Sequence, residues 1–369
     1  MKKKLFGAMA LATVAGLVLA GCGTGREDTS GDGDGTDGGA GFDADARIGV
    51  ALPDKTSENW VLAGDLFVNG LEEAGFTPDV QYAGSANAVQ DQQSQIEAMI
   101  QNGAQVIVIG AADTGQLATQ LQAAKDAGIL VISYDRLIQG TENLDYYIAF
   151  DNYRVGELQG QALLDGMADR FPDADTYNIE LFSGSPDDSN APVFFEGAMS
   201  VLQPKIDDGT LNVVSGQSEL AATATQGWLA ENAQERMDNL ITANYRGGTE
   251  LHGVLSPNDT LARAILASTS DAGLDTPVVT GQDSEVESVK SIMEGVQYST
   301  ISKDTRILVA DTIDLISTLQ AGETPEGAEG MDNGSADIPS ILLDPVIVTQ
   351  ENAAEVYADD PKLGPLTEQ

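Results

Sequence analysis

The sequence is poor in the residues that most often build metal, redox and catalytic sites. Among 369 residues there is one cysteine, Cys22, and one histidine, His252. A single cysteine cannot close an internal disulfide, so a packed core must hold the fold together. The scarcity of both residue types also argues against a zinc site. We therefore predict no metal ligand, and the hydrophobic core carries the stability.

Cofactor loops and catalytic motifs are missing as well. No Gly-x-Gly-x-x-Gly or Walker loop follows the first predicted strand. Gly184-Ser185-Pro186 follows a predicted strand but lacks the Gly-x-Ser-x-Gly elbow of esterases. We assign no catalytic residue and no cofactor, and we do not expect an enzyme.

Basic residues are few, with 18 Lys and Arg against 58 Asp and Glu and a formal net charge of -40. A surface this acidic repels nucleic acids and anionic headgroups. No pair of DNA-binding helices precedes Arg47, and the charge has the wrong sign for a repressor. We expect no nucleic-acid partner.

The longest apolar run, Leu5 to Ala20, is shorter than the roughly 20 residues of a membrane-spanning helix. Three lysines precede it, and small residues follow, as in a secretory signal. Leu19-Ala-Gly-Cys22 resembles the bacterial lipobox, which implies lipidation of Cys22. The Gly- and Asp-rich stretch at 23–44 has the composition of a disordered tether. We therefore expect an extracytoplasmic protein anchored to the cell membrane, with its signal peptide at 1–22.

Beyond the tether, short β-branched runs alternate with amphipathic helical stretches. Val106 to Ile109 is a continuous apolar run, which is typical of a buried parallel strand. The alternation occurs twice, once up to Phe150 and again from Tyr177. This pattern predicts two α/β lobes with parallel sheets, and no long linker separates them. A last strand is predicted near Ile341 to Val348.

Polar residues cluster where the predicted strands end, which is where ligands bind in open parallel sheets. They include Asp135, Arg136, Asp151, Asn258, Asp259, Asp283 and Lys303. Carboxylates accept hydrogen bonds from sugar hydroxyls, whereas amides and cations donate to sugar oxygens. The two tryptophans, Trp60 and Trp228, are each predicted to open a helix in one lobe. Together they could sandwich the apolar face of a sugar ring.

The chain resembles the sugar-binding proteins of bacterial ABC importers, and among them the xylose and multiple-monosaccharide group. The matching stretches keep the order of the family along the chain: 133–138, 150–152, 184–191, 197–203, 233–240, 255–259, 279–285 and 302–306. The resemblance implies a type I periplasmic-binding-protein fold, in which three crossovers form a hinge between two Rossmann-like lobes. It implies an N-terminal lobe of 45–150 plus 304–335 and a C-terminal lobe of 151–303 plus 336–369.

The resemblance also implies roles for individual residues. Asp135 and Arg136 would hold the hydroxyls and ring oxygen of the sugar from the first lobe. The second lobe and hinge would contribute Asn190, Asn258, Asp283 and Lys303, with Trp228 stacked on the ring. Asp151 would serve the hinge. Asn59 stands where the family commonly has an arginine before the tryptophan, so a hydroxyl contact is expected to change there.

The expected function is capture of a monosaccharide of the xylose, glucose, galactose or arabinose class. Delivery to the permease and ATPase subunits of an ABC importer would follow, with the binding protein acting as a monomer. Two alternatives remain open at the level of sequence. The same fold could bind a nucleoside or furanosyl signal for sensing, or the chain could be a secreted carbohydrate-active enzyme.

Overall fold

The computed structural model describes residues 41–53, 55, 57–84 and 86–368. The predicted signal peptide, Cys22 and residues 23–40 of the predicted tether lie outside this part. Phe42, which the prediction includes in the tether, packs on the core, with its ring centroid 6.2 Å from that of Phe76. The predicted end of the tether at residue 44 is therefore corrected, because Phe42 belongs to the packed part of the chain. No helix in the described part is long and apolar enough to span a membrane.

The first half of the chain alternates strands with helices, except that its last two strands follow each other without a helix between them. The elements are β1 (Arg47–Leu52), α1 (Glu58–Glu73), β2 (Thr77–Tyr82), α2 (Ala88–Gln101), β3 (Val106–Ile109), α3 (Ala118–Asp126), β4 (Leu130–Tyr134) and β5 (Tyr146–Phe150). The end of α1 shows how the sequence stops a helix. Gly75 adopts a φ of 94°, and the N–H of Phe76 donates back to the carbonyl of Leu71 at 2.9 Å.

The second half repeats this alternation after a long helix. The elements are α4 (Asn152–Arg170), β6 (Tyr177–Leu181), α5 (Asn190–Asp207), β7 (Leu211–Val213), α6 (Leu220–Thr223), α7 (Ala230–Leu240), β8 (Gly253–Leu255), α8 (Asp259–Asp271), β9 (Val278–Val279), α9 (Val286–Met293) and β10 (Ser299–Ser302). The chain ends with α10 (Thr305–Gln320), β11 (Glu329–Asp332), β12 (Asp337–Leu343), β13 (Val346–Thr349), α11 (Ala353–Val356) and α12 (Gly364–Thr367).

Three sheets organise these elements, and the predicted α/β class is confirmed. A seven-stranded sheet has the order β11-β12-β5-β4-β3-β1-β2 and is parallel except for β11. A four-stranded parallel sheet has the order β7-β6-β8-β9, and β10 pairs with β13 in an antiparallel ribbon. We call the seven-stranded sheet with α1, α2, α3 and α10 the first lobe. The other two sheets and their helices form the second lobe.

Strand β3 shows why the core is buried on both faces. Val106 and Val108 face the cluster that contains Phe67 of α1, whereas Ile107 and Ile109 face the cluster around α2 and α3. Side chains alternate across a strand, so a run of four apolar residues fills both layers. This arrangement leaves the carboxyl ends of the strands as the place where polar groups gather.

The chain passes between the lobes three times, at residues 150–152, 302–305 and 343–346. The predicted last strand near 341–348 is wrong, because it is two strands in different sheets. Strand β12 pairs in parallel with β5, so residues 337–343 belong to the first lobe and the predicted boundary at 336 needs correction. The break falls at Asp344-Pro345. Proline has no N–H with which to continue the ladder.

Candidate ligand-binding site

The turn after β4 supplies the first part of the site. Asp135 adopts the left-handed backbone region with a φ of 64°, and its N–H donates to the carbonyl of Ile148 at 2.9 Å. The Ser133 hydroxyl donates to the carbonyl of Arg136 at 2.5 Å and accepts from the N–H of Ile138 at 3.1 Å. These bonds fix the turn, so that Asp135 and Arg136 sit together at the edge of the first sheet.

Arg136 is the centre of this part. Its Nη1 donates to the carbonyl of Ala111 at 3.0 Å, and its guanidinium lies 5.4 Å from the ring centroid of Trp60. Trp60 is only 9% exposed and packs on Tyr134 with ring centroids 6.1 Å apart. Trp60 therefore supports the arginine from within the core of the first lobe, and it is not an open stacking wall.

The second lobe meets Arg136 through Asp188, which is 4% exposed. The Asp188 carboxylate lies 3.0 Å from Nε of Arg136 and accepts from Nε1 of Trp228 at 3.1 Å. Its other oxygen accepts from the backbone N–H of Asn190 at 2.9 Å. Asp188 lies inside a stretch that matched the family, but the sequence prediction did not assign it a role. Asp188 lies within a loop and not directly after a strand, so the pattern of polar residues at strand ends did not select it.

Trp228 and Asn190 complete the second-lobe wall. Trp228 lies in a 3-10 turn at Gln226–Trp228 with a φ of 55°, and the predicted helix begins two residues later than expected, at Ala230. Its ring lies close against Gly184, where an added Cβ would be 2.2 Å from two ring atoms. Asn190 Nδ2 donates to the carbonyl of Asp135 at 2.9 Å. The two predicted residues therefore reach the first-lobe turn, one directly and one through Asp188.

Asp283 and Lys303 form a third part, next to the second crossing. The Nζ of Lys303 lies 3.0 Å from Oδ1 of Asp283, and both side chains are largely buried. Burial alone would lower the pKa of Lys303, but Asp283 and Asp135 outweigh it, so the pKa is raised and the ammonium stays charged. Asn59 Nδ2 donates to the carbonyl of Asp283 at 3.4 Å. Asn59 thus links the lobes through a backbone carbonyl.

Asn258 and Asp259 sit at the start of α8 and behave differently from each other. The Asn258 oxygen caps the helix by accepting from the N–H of Leu261 at 3.0 Å. The Asp259 carboxylate is fully buried and accepts from Gln297, from Thr300 and from the N–H of Glu285. Burial raises its pKa well above the ordinary value. These contacts engage the Asp259 carboxylate inside the second lobe, so its predicted role as a direct ligand contact is corrected.

Asp151 lies at the first crossing, where it was expected. Its carboxylate caps α4 by accepting from the N–H of Arg154 at 3.0 Å. Its own N–H donates to the carbonyl of Leu343 at 2.8 Å. Leu343 ends β12 at the third crossing, so a backbone bond at Asp151 ties two crossings together.

The lobes are in contact across the cleft, so the structure is a closed form. The Ser189 hydroxyl donates to the carbonyl of Leu137 at 2.9 Å, and the N–H of Thr114 donates to the carbonyl of Asp187 at 3.3 Å. A cavity of about 460 Å³ lies between the lobes. It adjoins the charged residues described above, since Asp188 and Asn190 form part of its lining. Its other walls reach the crossings at Asp151 and Leu342.

The cluster holds three carboxylates, Asp135, Asp188 and Asp283, and two cations, Arg136 and Lys303. Burial raises the pKa of Asp135; Lys303 and Arg136 oppose the rise, whereas Asp188 and Asp283 reinforce it. With one more carboxylate than cations, the five groups carry a formal charge of −1. Among the described residues no group of three or more His, Cys, Asp or Glu side chains could hold a metal ion. Such a set of alternating donors and acceptors suits a neutral polyhydroxylated ligand.

Comparison with known proteins agrees with this geometry. A family model described as "Periplasmic binding protein domain" matches residues 48–324. The chain is 46% identical over 328 residues to the multiple sugar-binding periplasmic receptor ChvE of Rhizobium radiobacter, covering 86% of this chain and 91% of that one. It is 36% identical to the D-xylose-binding periplasmic protein of Escherichia coli, covering 86% and 90% of the two chains.

Solved structures show the same fold. An ABC transporter solute-binding protein from Clostridium phytofermentans, with bound β-D-glucose, superposes with a TM-score of 0.81 at 38% identity. The match covers 87% of this chain and 100% of that chain. The match of the family model and the shared architecture lead to one conclusion. The chain belongs to the periplasmic binding protein family and is a binding protein rather than an enzyme.

Proposed function

We propose that this protein captures a monosaccharide of the glucose, xylose, galactose or arabinose class between its two lobes. The observation that carries the proposal is the convergence of Arg136, Asp135, Asp188, Asp283 and Lys303 from both lobes on one closed cleft. Hydrogen bonds to charged groups contribute roughly 1.5–3 kcal/mol each, and they are the strongest contacts available to a sugar hydroxyl. Trp228 offers a half-buried aromatic face beside them.

The ligands named for the relatives support this ligand class. One relative is named for multiple sugars, another for D-xylose, and a solved structure at 38% identity holds β-D-glucose. A sugar that bridges the lobes would favour the closed form through its higher affinity for that form. Asp151 and the backbone bond from its N–H to Leu343 are our candidates for a hinge point.

The proposal is tested by isothermal titration of the purified protein with a panel of pentoses and hexoses. We expect saturable binding of at least one pyranose, with a fitted stoichiometry of one sugar per chain. A nucleoside and a furanosyl sugar are titrated alongside. Binding of only those two would replace monosaccharide capture with the signal-sensing alternative, and silence of the whole panel would refute sugar binding.

We further propose that the protein delivers its sugar to an ABC importer as a monomer tethered through a lipid on Cys22. The lipobox-like Leu19-Ala-Gly-Cys22 supports the anchor, and the membership of the family supports the importer. The unmodified protein should incorporate a labelled fatty acid, and a Cys22→Ser variant should not. If the unmodified protein incorporates no labelled fatty acid, the lipid anchor is wrong. Light scattering at the mass of a single chain would support the monomer, and a dimer mass would contradict it.

A further inference from the structure

The turn that presents Asp283 is held in an unusual backbone conformation. Asp283 and Ser284 are consecutive, with φ values of 93° and 54°, and neither is glycine. Non-glycine residues in this region cost energy and persist only where surrounding contacts impose them. The orientation of Asp283 toward Lys303 therefore depends on whatever holds Ser284.

Buried groups of the second lobe stabilise the turn through hydrogen bonds to its backbone. The N–H of Ser284 donates to the Thr300 hydroxyl at 3.2 Å, and Thr300 donates to the Asp259 carboxylate at 2.9 Å. The same carboxylate accepts from the N–H of Glu285 at 3.0 Å. Asp259 thus acts on the backbone of the turn, which explains why it faces inward.

The C-terminal segment around Tyr357 also contacts this turn. Tyr357 is 2% exposed and lies in a core cluster with Val289 and Met293 of α9 and Val348 of β13. Its hydroxyl donates to the hydroxyl of Ser284 at 2.6 Å. Burial raises the pKa of the Tyr357 phenol, so the donor hydrogen is kept at physiological pH.

We propose that Tyr357 is a positioning residue for the ligand site, holding Ser284 so that the left-handed turn aims Asp283 at Lys303 and the cleft. The inference rests on the proposed sugar binding. Its basis is a hydrogen bond between a buried C-terminal tyrosine and a strained turn whose first residue is a site residue. The affinity for sugar thereby depends on a segment more than 70 positions further along the chain, at 357 against 284.

The test is Tyr357→Phe in the full chain, with Tyr298→Phe as the matched control. Tyr298 is in the same lobe, and its hydroxyl makes a long 3.4 Å bond to Asp169 on the surface. We expect Tyr357→Phe to weaken sugar binding about three- to tenfold, the effect of one lost hydrogen bond, while Tyr298→Phe changes it less than about twofold. Amide hydrogen exchange at 283–285, measured without sugar, should become faster in Tyr357→Phe only.

Ser284→Gly separates positioning from simple loss of stability. Glycine adopts the left-handed region at little cost, and it removes the partner of Tyr357. In the Ser284→Gly background, Tyr357→Phe should therefore cause no further loss of affinity. An equal loss in both backgrounds, or unchanged exchange at 283–285, would overturn the inference. Failure of the unmodified protein to bind any sugar would refute the proposed function, whereas the exchange measurement would still decide the role of Tyr357.

Discussion

At the scale of single residues, backbone strain marks the site. Within the described part of the chain, the non-glycine residues with positive φ are Asp135, Trp228, Asp283 and Ser284. Three are in the proposed site, and the fourth directly follows one of them. Each such residue costs on the order of 1–3 kcal/mol, so the folded protein tolerates strain where side chains must point into the cleft.

Arg136 gives the first prediction at this scale. Replacing Arg136 with alanine removes the charged donor that joins the lobes through Asp188. The Asp188 carboxylate keeps its bonds from Trp228 and Asn190, so we expect the chain to stay folded. Affinity for sugar should fall about 10- to 150-fold, so sugar-induced thermal stabilisation should disappear at sugar concentrations near the Kd of the unmodified protein.

The matched control is Arg154→Ala, which removes an exposed arginine paired with Glu157 on α4. Exposed pairs contribute roughly 0–1 kcal/mol, so affinity and melting temperature should change little. Full sugar-induced stabilisation in Arg136→Ala would place the pocket elsewhere in the molecule.

The strand pattern singled out residues only where they closely follow a strand, whereas Asn190 was predicted from the family resemblance alone. Arg136, Asp283 and Lys303 follow strands, and the sequence singles them out. Asp188 lies within a loop, so its contact with Arg136 has no local signature. Asp259 also follows a strand, but its carboxylate points into the second lobe. There it accepts hydrogen bonds from the N–H of Glu285 and the hydroxyl of Thr300.

At the scale of elements, two helices cross at very close range in the second lobe. An added Cβ on Gly156 of α4 would lie 2.0 Å from the carbonyl oxygen of Phe194. One on Gly197 of α5 would lie 2.1 Å from that of Tyr153. Helix α4 was not anticipated from the sequence. Its apolar face is interrupted by glycines, whose role in packing is visible only beside α5.

We predict that Gly197→Ala destabilises the protein by about 1–3 kcal/mol, because backbone atoms would have to move to admit the methyl group. Helix α5 begins at Asn190, so the shift should also weaken sugar binding. Denaturant unfolding and titration measure the two effects. Gly247→Ala is the control, since no atom lies within 4 Å of an added Cβ there. Equal stability of the two variants would contradict the close helix crossing.

At the scale of the whole molecule, acidity governs stability. The formal net charge is -40, and unfolding relieves the repulsion among these charges. Burial also raises the pKa values of several carboxyls in the folded state, among them Glu180, Asp259 and Glu285. A raised carboxyl pKa means that the folded state binds protons that the unfolded state has already released.

The free energy of unfolding should therefore decrease as the pH rises from about 4 through the raised pKa values. We predict a higher melting temperature near about pH 5 than near about pH 8, with added salt raising it near about pH 8 by screening. Glu180→Gln should reduce the slope with pH, since Glu180 is fully buried and accepts from Ser215 and Tyr245. A melting temperature that rises from about pH 5 to about pH 8 would refute this linkage.

The sequence by itself determined the α/β class, the two-lobed organisation and most of the residues at the strand ends. Apolar periodicity reports which face of an element is buried, and it is a local property of the chain. Only the tertiary structure decided that β12 completes the first sheet, that Asp188 meets Arg136, and that Tyr357 reaches Ser284. These contacts join distant segments, and backbone angles and lobe packing select them, so no local pattern encodes them.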